Sequence, residues 1–216
     1  MTRHRFRSHR GGILPLPEEN IDTDQIVPAR YLLRSRKEGY GDTLFADLRC
    51  DADGHPIAGF VMNQAPFDQA SVLVAGDNFG CGSSREHAVW ALQDGGIQVV
   101  IAPGFGDIFF NNAVQNGLLL ITASAAQVEG LLAAVRADAH AQVEVDLPGQ
   151  TVRCGDAAFG FEIEPHRKQS LLDGLSEIDA TLRELDAIES FERTRLAAEP
   201  WLADPTQITH PGGNAV

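Results

Sequence analysis

The chain has 216 residues, of which 44% are hydrophobic and 22% charged, and its formal net charge is −13. This size and apolar content suffice for one compact domain with an appendage. The negative charge disfavours nucleic acid or an anionic membrane surface as a partner, and every continuous apolar stretch is too short to cross a membrane.

The first seventy residues are punctuated by glycines and predict functional loops rather than regular elements. From residue 71 the pattern is β-α-β-α-β, with continuous apolar strands that indicate a sheet buried on both faces. The predicted strands are 71–75, 97–101 and 118–122, and the predicted helices are 86–93 and 107–115.

The remaining elements lead to a division into three parts. A helix is predicted at 125–136, and alternating hydrophobicity predicts strands with one wet face at 143–147 and 159–163. Residues 166–196 predict one long amphipathic helix, or two helices broken near Gly174. We expect a domain at 1–165, a helical extension at 166–198 and a poorly ordered tail at 199–216.

The strongest local motif is the glycine-rich segment 76–87, between a predicted strand and a predicted helix. Its glycines allow tight turns, helix-terminal amides can bind an anion, and Arg85 adds a planar donor for a carboxylate. Ser83 and Glu86 also fit a capping box. The segment is a weak match to dinucleotide-binding motifs, because Arg85 replaces the third glycine and no ribose-binding acid follows the next strand.

Other residues of this segment have ordinary structural interpretations. His87 taken alone is more typical of a hydrogen-bonded structural histidine than of a ligand. Cys81 is as typical of a small filler as of a reactive thiol.

The second motif, residues 20–28, contains Asp22 and Asp24, and a basic segment from Arg30 to Gly41 follows it. The two carboxylates either form turns with their own backbone, or one of them supports a catalytic group. Residues 1–37 carry a net charge of +4, so the remainder carries −17. We interpret the basic segment, here called the flap (residues 30–41), as closing positive charge over a small anionic substrate or as a solvated basic face.

The third motif is residues 107–113, in which most positions predict a core helix face. Asn111 and Asn112 are its polar members and are compatible with plain surface positions.

The cysteines and the N-terminus indicate the compartment. Cys50, Cys81 and Cys154 are widely spaced and form no Cys-x-x-Cys pair, so we expect neither a disulfide framework nor a metal held by this chain. The apolar stretch after the basic N-terminus is too short and too broken by proline for a secretory signal, so we expect a cytoplasmic protein.

Taken together, residues 22–28, 78–88 and 105–112 resemble the isopropylmalate dehydratase small-subunit family, which is similar to the C-terminal swivelling domain of aconitase. The three motifs occur in the family's order, and the resemblance covers roughly residues 6–200. It implies a three-layer β/β/α swivelling domain with a long C-terminal helix. It also implies a heterodimer with a large subunit whose 4Fe-4S cluster acts as a Lewis acid on an alkylmalate substrate.

The resemblance also implies roles for individual residues. Ser83 would remove the carbon-bound proton, Ser84 and Arg85 would hold a substrate carboxylate, and Asp24 would support catalysis. In the flap, Leu33, Arg34 and Arg36 are candidate substrate contacts, although Tyr-Leu-Leu-Arg at 31–34 departs from the family's usual Phe-Leu-Lys-Arg.

Leu33 favours an alkyl substituent over a third carboxylate, because apolar contact would leave a carboxylate unpaired. We therefore expect isopropylmalate as substrate, in leucine biosynthesis, with substrates of the methylmalate, dimethylmalate or homoaconitate type as the alternative. A nucleotide-binding enzyme would use only the glycine-rich turn, and a non-catalytic scaffold would need none of these polar residues.

Overall fold

The computed structural model describes residues 5–175 and 177–202. The strands are β1 Ser8–Leu16, β2 Val72–Ala75, β3 Val99–Ala102, β4 Leu119–Thr122, β5 Gln142–Asp146, β6 Thr151–Cys154 and β7 Ala157–Gly160. The α-helices are α1 Thr23–Ile26, α2 Ala46–Arg49, α3 Glu86–Asp94, α4 Asp107–Asn116, α5 Ala125–Ala137, α6 Pro165–Asp173, α7 Glu177–Leu182 and α8 Leu185–Ala198. Short 3-10 helices lie at Ala29–Tyr31, Arg36–Glu38, Gly41–Thr43, Val61–Asn63, Phe67–Gln69 and Pro200–Leu202.

All seven strands join one sheet in the order β4-β3-β2-β1-β5-β6-β7. Strands β1 to β4 are parallel, whereas β5, β6 and β7 continue the sheet by antiparallel pairing. Strand β1 belongs to both halves, because residues 8–12 pair with β5 and residues 13–16 pair with β2. The carboxyl ends of the parallel strands consequently open at one edge of the sheet.

Strand β1 is one of two strands that sequence patterning missed, and it contains a proline, Pro15. In the structure Pro15 pairs with β2 on one side, while the pairing of β1 with β5 ends at Gly12. The missing N–H of proline therefore interrupts no ladder on the second side. Gly11 is needed here because a Cβ atom would lie 2.0 Å from Ser71 Oγ.

The sheet separates two hydrophobic cores. One core lies between the parallel strands and the helices α3 and α4, and includes Phe79, Leu92 and Phe109. The other contains residues from both halves of the sheet together with α5, including Val74 and Val145. Both halves of the sheet thus contribute to one core with α5, while α3 and α4 cover the other face of the parallel half, and the predicted three-layer β/β/α architecture is confirmed.

The β-α-β-α-β pattern and α5 are confirmed to within about two residues, whereas the antiparallel half was predicted less well. Strand β6 was not expected, and β7 lies at Ala157–Gly160 instead of 159–163. Tight turns produce both differences, since Gln150 and Gly155 have φ of 52° and 55° and reverse the chain within a few residues.

The single long C-terminal helix is not formed, whereas the alternative, a break near Gly174, is confirmed. Helix α6 ends at Gly174, whose φ of 66° suits a glycine, and α7 and α8 follow as separate helices. Contacts divide the chain into two units, Met1–Ser176 and Glu177–Val216, so α6 belongs to the first unit. Most of the expected disordered tail, residues 203–216, lies outside the described residues. Across the described ranges, no helix is long and apolar enough to cross a membrane.

Candidate active site

Three loops meet at the carboxyl ends of β1, β2 and β3, and they bring the three sequence motifs together. The amide of Gly80 donates to the carbonyl of Ile21 at 2.7 Å, and the amide of Thr23 donates to the carbonyl of Cys81 at 3.0 Å. On the other side, the amide of Gly106 donates to the carbonyl of Phe79 at 2.9 Å. The glycine-rich loop is thus held between the two other motifs.

Two glycines permit this close approach. Gly80 has φ of 74°, and a Cβ atom there would lie 2.3 Å from Cγ of Phe109. A Cβ atom on Gly106 would lie 2.6 Å from the carbonyl oxygen of Gly80. Side chains at these positions would separate the loops, so the glycines serve loop packing.

Ser83 and Ser84 are exposed at the turn that leads into α3. The hydroxyl of Thr23, which is buried, donates to the carbonyl of Ser83 at 3.1 Å and fixes the serine backbone. Among the described residues, neither serine hydroxyl has a hydrogen-bond partner. The capping-box interpretation of Ser83 is wrong, because the N-cap of α3 is Arg85 and it makes no side-chain cap.

Arg85 forms an ion pair with Asp24, which connects the first and second motifs. The side chain of Arg85 is 17% exposed and that of Asp24 is 54% exposed, so the guanidinium is partly enclosed beside its partner. The two aspartates of the second motif differ in role. Asp22 accepts from the amide of Gln25 at 2.8 Å and caps α1, as the turn-forming alternative predicts, whereas Asp24 reaches Arg85.

The flap arginines are bound to carboxylates of the same chain. Both oxygens of Asp42 accept from Arg34, at 2.7 and 2.9 Å, and this pairing raises the pKa of Arg34. Arg36 makes a two-pronged ion pair with Asp94. Leu33, the predicted alkyl contact, is 99% exposed and packs against nothing in the first unit.

Sequence reasoning missed two residues that hold the loops and the flap in place. Thr23 stands between the two aspartates and was assigned no role, and Asp94 is an unremarkable acid at the end of a helix. Their roles become visible only in the folded chain, where each contacts a segment about 60 residues away in sequence. Asn111 and Asn112, in contrast, remain polar surface positions of α4.

The described residues do not fit an iron–sulfur cluster. Their only group of three or more potential metal ligands is Asp51, Asp53 and His55, all exposed and without a thiolate. Burial and the nearby Asp22 carboxylate raise the pKa of the Cys81 thiol, which disfavours the thiolate that binds metals. This direction of the pKa shift favours the small-filler interpretation of Cys81 over the reactive-thiol interpretation.

The side chains of Ser83 and Ser84 lie on exposed surface. A cavity of about 410 Å³ lies beside β4, lined among others by Phe110, Leu118 and Arg167, and it contains none of the motif serines. At the motif itself, two serines with exposed hydroxyls directly precede Arg85, whose guanidinium is paired with Asp24, and these groups can together bind a carboxylate and accept a proton.

Comparison with known proteins agrees with this geometry. Residues 3–126 match the Aconitase C-terminal domain family, and residues 129–165 match the LeuD_N family. Residues 177–205 match the family of C-terminal domains of the 3-isopropylmalate dehydratase small subunit. This last match begins where the second structural unit begins.

Curated relatives cover nearly the whole chain. The 3-isopropylmalate dehydratase small subunit of Roseobacter denitrificans is 45% identical over 92% of this chain and 99% of its own length. The small subunit of Acidothermus cellulolyticus is 48% identical over 90% and 96%. A crystal structure of 3-isopropylmalate dehydratase from Methanocaldococcus jannaschii matches 86% of this chain and 99% of its own, with a TM-score of 0.61 and 26% identity. The chain belongs to the 3-isopropylmalate dehydratase small-subunit family.

Proposed function

We propose that this chain completes the active site of a hydro-lyase that isomerises 2-isopropylmalate to 3-isopropylmalate by dehydration and rehydration, in leucine biosynthesis. The observation that carries the proposal is the pair of free, exposed hydroxyls on Ser83 and Ser84 beside a guanidinium held by Asp24. The relatives are named small subunits, which supports a larger partner subunit.

Ser83 is proposed as the base that takes the carbon-bound proton onto its Oγ. A serine is too weak an acid to ionise unaided, so its alkoxide has to be stabilised by positive charge and by exclusion of water. Arg85 and the free amides at the start of α3 supply the positive electrostatic field. Partner docking over the open surface would remove the water.

Ser84 and Arg85 are proposed to hold a substrate carboxylate, since a hydroxyl and a planar guanidinium both donate to carboxylate oxygens. Asp24 orients Arg85 through the ion pair between them. Arg85 is then positioned before substrate arrives, which reduces the entropic cost of the reactive arrangement.

The 4Fe-4S cluster of the reaction is assigned to the partner subunit, since the described residues of this chain offer no thiolate group of ligands. The active unit is then a heterodimer of this chain and the large subunit. The alkyl substituent of the substrate is assigned to Leu33, whose side chain is exposed at the flap and available for apolar contact. Another alkylmalate is the alternative substrate.

A cytoplasmic location is proposed because Cys50, Cys81 and Cys154 are all free thiols, which is typical of reducing compartments. Fractionation of cells, with detection of the chain in the cytosolic fraction, tests this assignment.

The function is tested by anaerobic co-purification of this chain with the large subunit encoded in the same genome. After cluster reconstitution, the ultraviolet absorbance of the unsaturated intermediate is followed with 2-isopropylmalate and with shorter alkylmalates. We expect activity only with both chains, and a loss of about 10²–10⁴-fold in kcat for Ser83→Ala. The matched control is Ser190→Ala, which removes an exposed serine hydroxyl from α8.

Three outcomes would contradict the proposal. The chain could fail to bind a large subunit, the reconstituted pair could be inert on every alkylmalate, or Ser83→Ala could keep full activity. The last result would favour a non-catalytic scaffold. A rise in melting temperature with nucleotides, absent with malate analogues, would favour the nucleotide-binding alternative.

A further inference from the structure

Helix α3 carries a row of three side chains that contact the flap. His87, Trp90 and Asp94 follow one another at three- and four-residue steps, which places them on one face of the helix. The buried ring of Tyr40 lies edge-on to His87 and Trp90, with centroid distances of 5.6 and 5.7 Å. The guanidinium of Arg36 lies over the ring of Trp90 at 5.3 Å.

Asp94 is the polar end of this row. Its Oδ1 accepts from Nη2 of Arg36 at 2.9 Å, and its Oδ2 accepts from Nη1 of Arg36 and from the amide of Tyr40 at 2.8 Å. A Cβ atom on Gly41 would lie 2.5 Å from the backbone oxygen of Asp94, so the flap backbone is packed directly against the end of α3.

The placement of this acid needs a compensating charge. A carboxylate in the last turn of a helix is unfavourable, because the helix dipole is negative there. Asp94 is the last residue of α3, and Arg36 supplies the positive charge from the flap. A bidentate ion pair whose guanidinium also stacks on an aromatic ring has a more strictly fixed geometry than an isolated ion pair on the surface.

The segment that precedes the flap is paired with the start of the same helix. Asp24 lies in α1, a few residues before Arg30, and it is paired with Arg85 at the N-cap of α3. The nine residues of α3 span about 13 Å, so this helix sets the distance between the proposed catalytic turn at its start and the contact of Asp94 with Arg36 at its end.

From this arrangement we infer that Asp94 is a positioning residue that locks the flap onto α3 and thereby sets where Leu33 meets the substrate. Arg36 then serves as the tie between flap and helix, and not as a ligand of the substrate carboxylate. The consequence for substrate choice rests on the proposed function, whereas the lock itself is a property of this chain alone.

The lock is tested first on the isolated chain by limited trypsin digestion, with mass spectrometry of cleavage after Arg34 and Lys37. We expect Asp94→Ala to accelerate cleavage about threefold to tenfold and Asp94→Asn to accelerate it less, since asparagine still accepts from the Tyr40 amide. Glu129→Gln is the matched control, because it removes the carboxylate of another arginine ion pair, on α5. We expect it to leave the rate of flap cleavage unchanged.

Thermal melting separates a local lock from a general loss of stability. Removing an acid from the C-terminal turn of α3 relieves an unfavourable dipole contact, so the melting temperature of Asp94→Asn should stay within about 3 °C of the parent. An unchanged rate of flap cleavage in both Asp94 variants would overturn the inference. Faster cleavage in the flap that occurs only together with a large fall in melting temperature would overturn it as well.

The assembled enzyme provides the second test. We expect Asp94→Asn and Arg36→Gln to raise KM about threefold to tenfold with a smaller change in kcat, and the double variant to be no worse than either, because paired residues act as one unit. A loss of about 100-fold or more in kcat/KM for Arg36→Gln alone would identify Arg36 as a substrate ligand and overturn the inference. An inert parent complex would count against the proposed function, while the trypsin result would still decide the lock.

Discussion

Single residues of the site divide into those that are free to react and those that hold them in place. The hydroxyls of Ser83 and Ser84 are exposed, whereas Thr23 is buried and fixes the Ser83 carbonyl. Arg85 is partly enclosed and already paired with Asp24. The proposed reactive groups therefore stand on a backbone that is held by hydrogen bonds within this chain.

Replacing Asp24 with asparagine tests this division. Asp24→Asn keeps the size of the side chain but removes the charge that orients Arg85, so we expect kcat/KM of the assembled enzyme to fall about 10- to 100-fold. Steady-state assays with 2-isopropylmalate provide the measurement. Asp186→Asn, at the equivalent first-turn position of α8, is the control. Activity within twofold of the parent would remove Asp24 from the site.

The Cys81 thiol should be a slow nucleophile despite its place in the glycine-rich loop. Burial and the Asp22 carboxylate raise its pKa, so the thiolate fraction at pH 7.5 is smaller than that of free cysteine. Alkylation by iodoacetamide, followed at this residue by mass spectrometry, should be slower than for free cysteine and should rise with pH up to the raised pKa.

Asp22→Asn should accelerate Cys81 alkylation about twofold, because it removes the negative charge while asparagine still caps α1. Alkylation of Cys81 faster than that of free cysteine at pH 7.5 would contradict this electrostatic account.

At the scale of elements, the site depends on backbones that approach each other more closely than side chains allow. Strands β1, β2 and β3 end at one edge, and the loops that follow them are joined by amide-to-carbonyl bonds. Helix α3 connects the glycine-rich turn at its start to the flap at its end. The glycines of these loops are thus as important to the site as its polar side chains.

Gly80→Ala should destabilise the first unit by about 2 kcal/mol or more, since it combines a positive φ with a clash against Phe109. Gly130→Ala is the matched control, because it lies in α5 with open space around the added methyl group and should stabilise the helix by up to ~1 kcal/mol. Urea unfolding of both variants measures the difference. Equal stability of the two variants would show that the loop relaxes around the added carbon.

At the scale of the whole molecule, the two units differ in how much apolar surface they bury. Every buried hydrophobic residue among those described lies at or before Leu171. Helix α8 has no buried residue, and Ile178 and Phe191 are 73% and 62% exposed. The stability of the first unit is therefore expected to come from its own core.

A chain ending after Leu175 should keep a cooperative thermal transition, with a melting temperature within about 3 °C of the full chain. A chain ending after Glu164 also loses α6 and with it the buried Leu171, whose carbonyl accepts a hydrogen bond from the Phe6 amide at 2.9 Å. This shorter chain should melt at a clearly lower temperature. Circular dichroism measures both. Loss of the transition in the longer variant would show that the second unit is needed for folding.

The sequence by itself determined the alternating core of strands and helices, because a sheet buried on both faces requires continuous apolar runs and its helices require a 3.6-residue repeat. It also identified the motif that contains Ser83, Ser84 and Arg85, which lies within the region that matches the Aconitase C-terminal domain family. These features depend on neighbours in sequence, and a linear pattern is enough to define them.

Only the tertiary structure decided the features that depend on distant neighbours. Strand β1 contains glycines and a proline, and it is a strand because β2 and β5 pair with its two halves. The pairing of Asp24 with Arg85 joins positions 61 residues apart, and that of Arg36 with Asp94 joins positions 58 apart. Such contacts leave no periodic signal, because the fold of the chain, and not its local sequence, determines which charges come to lie side by side.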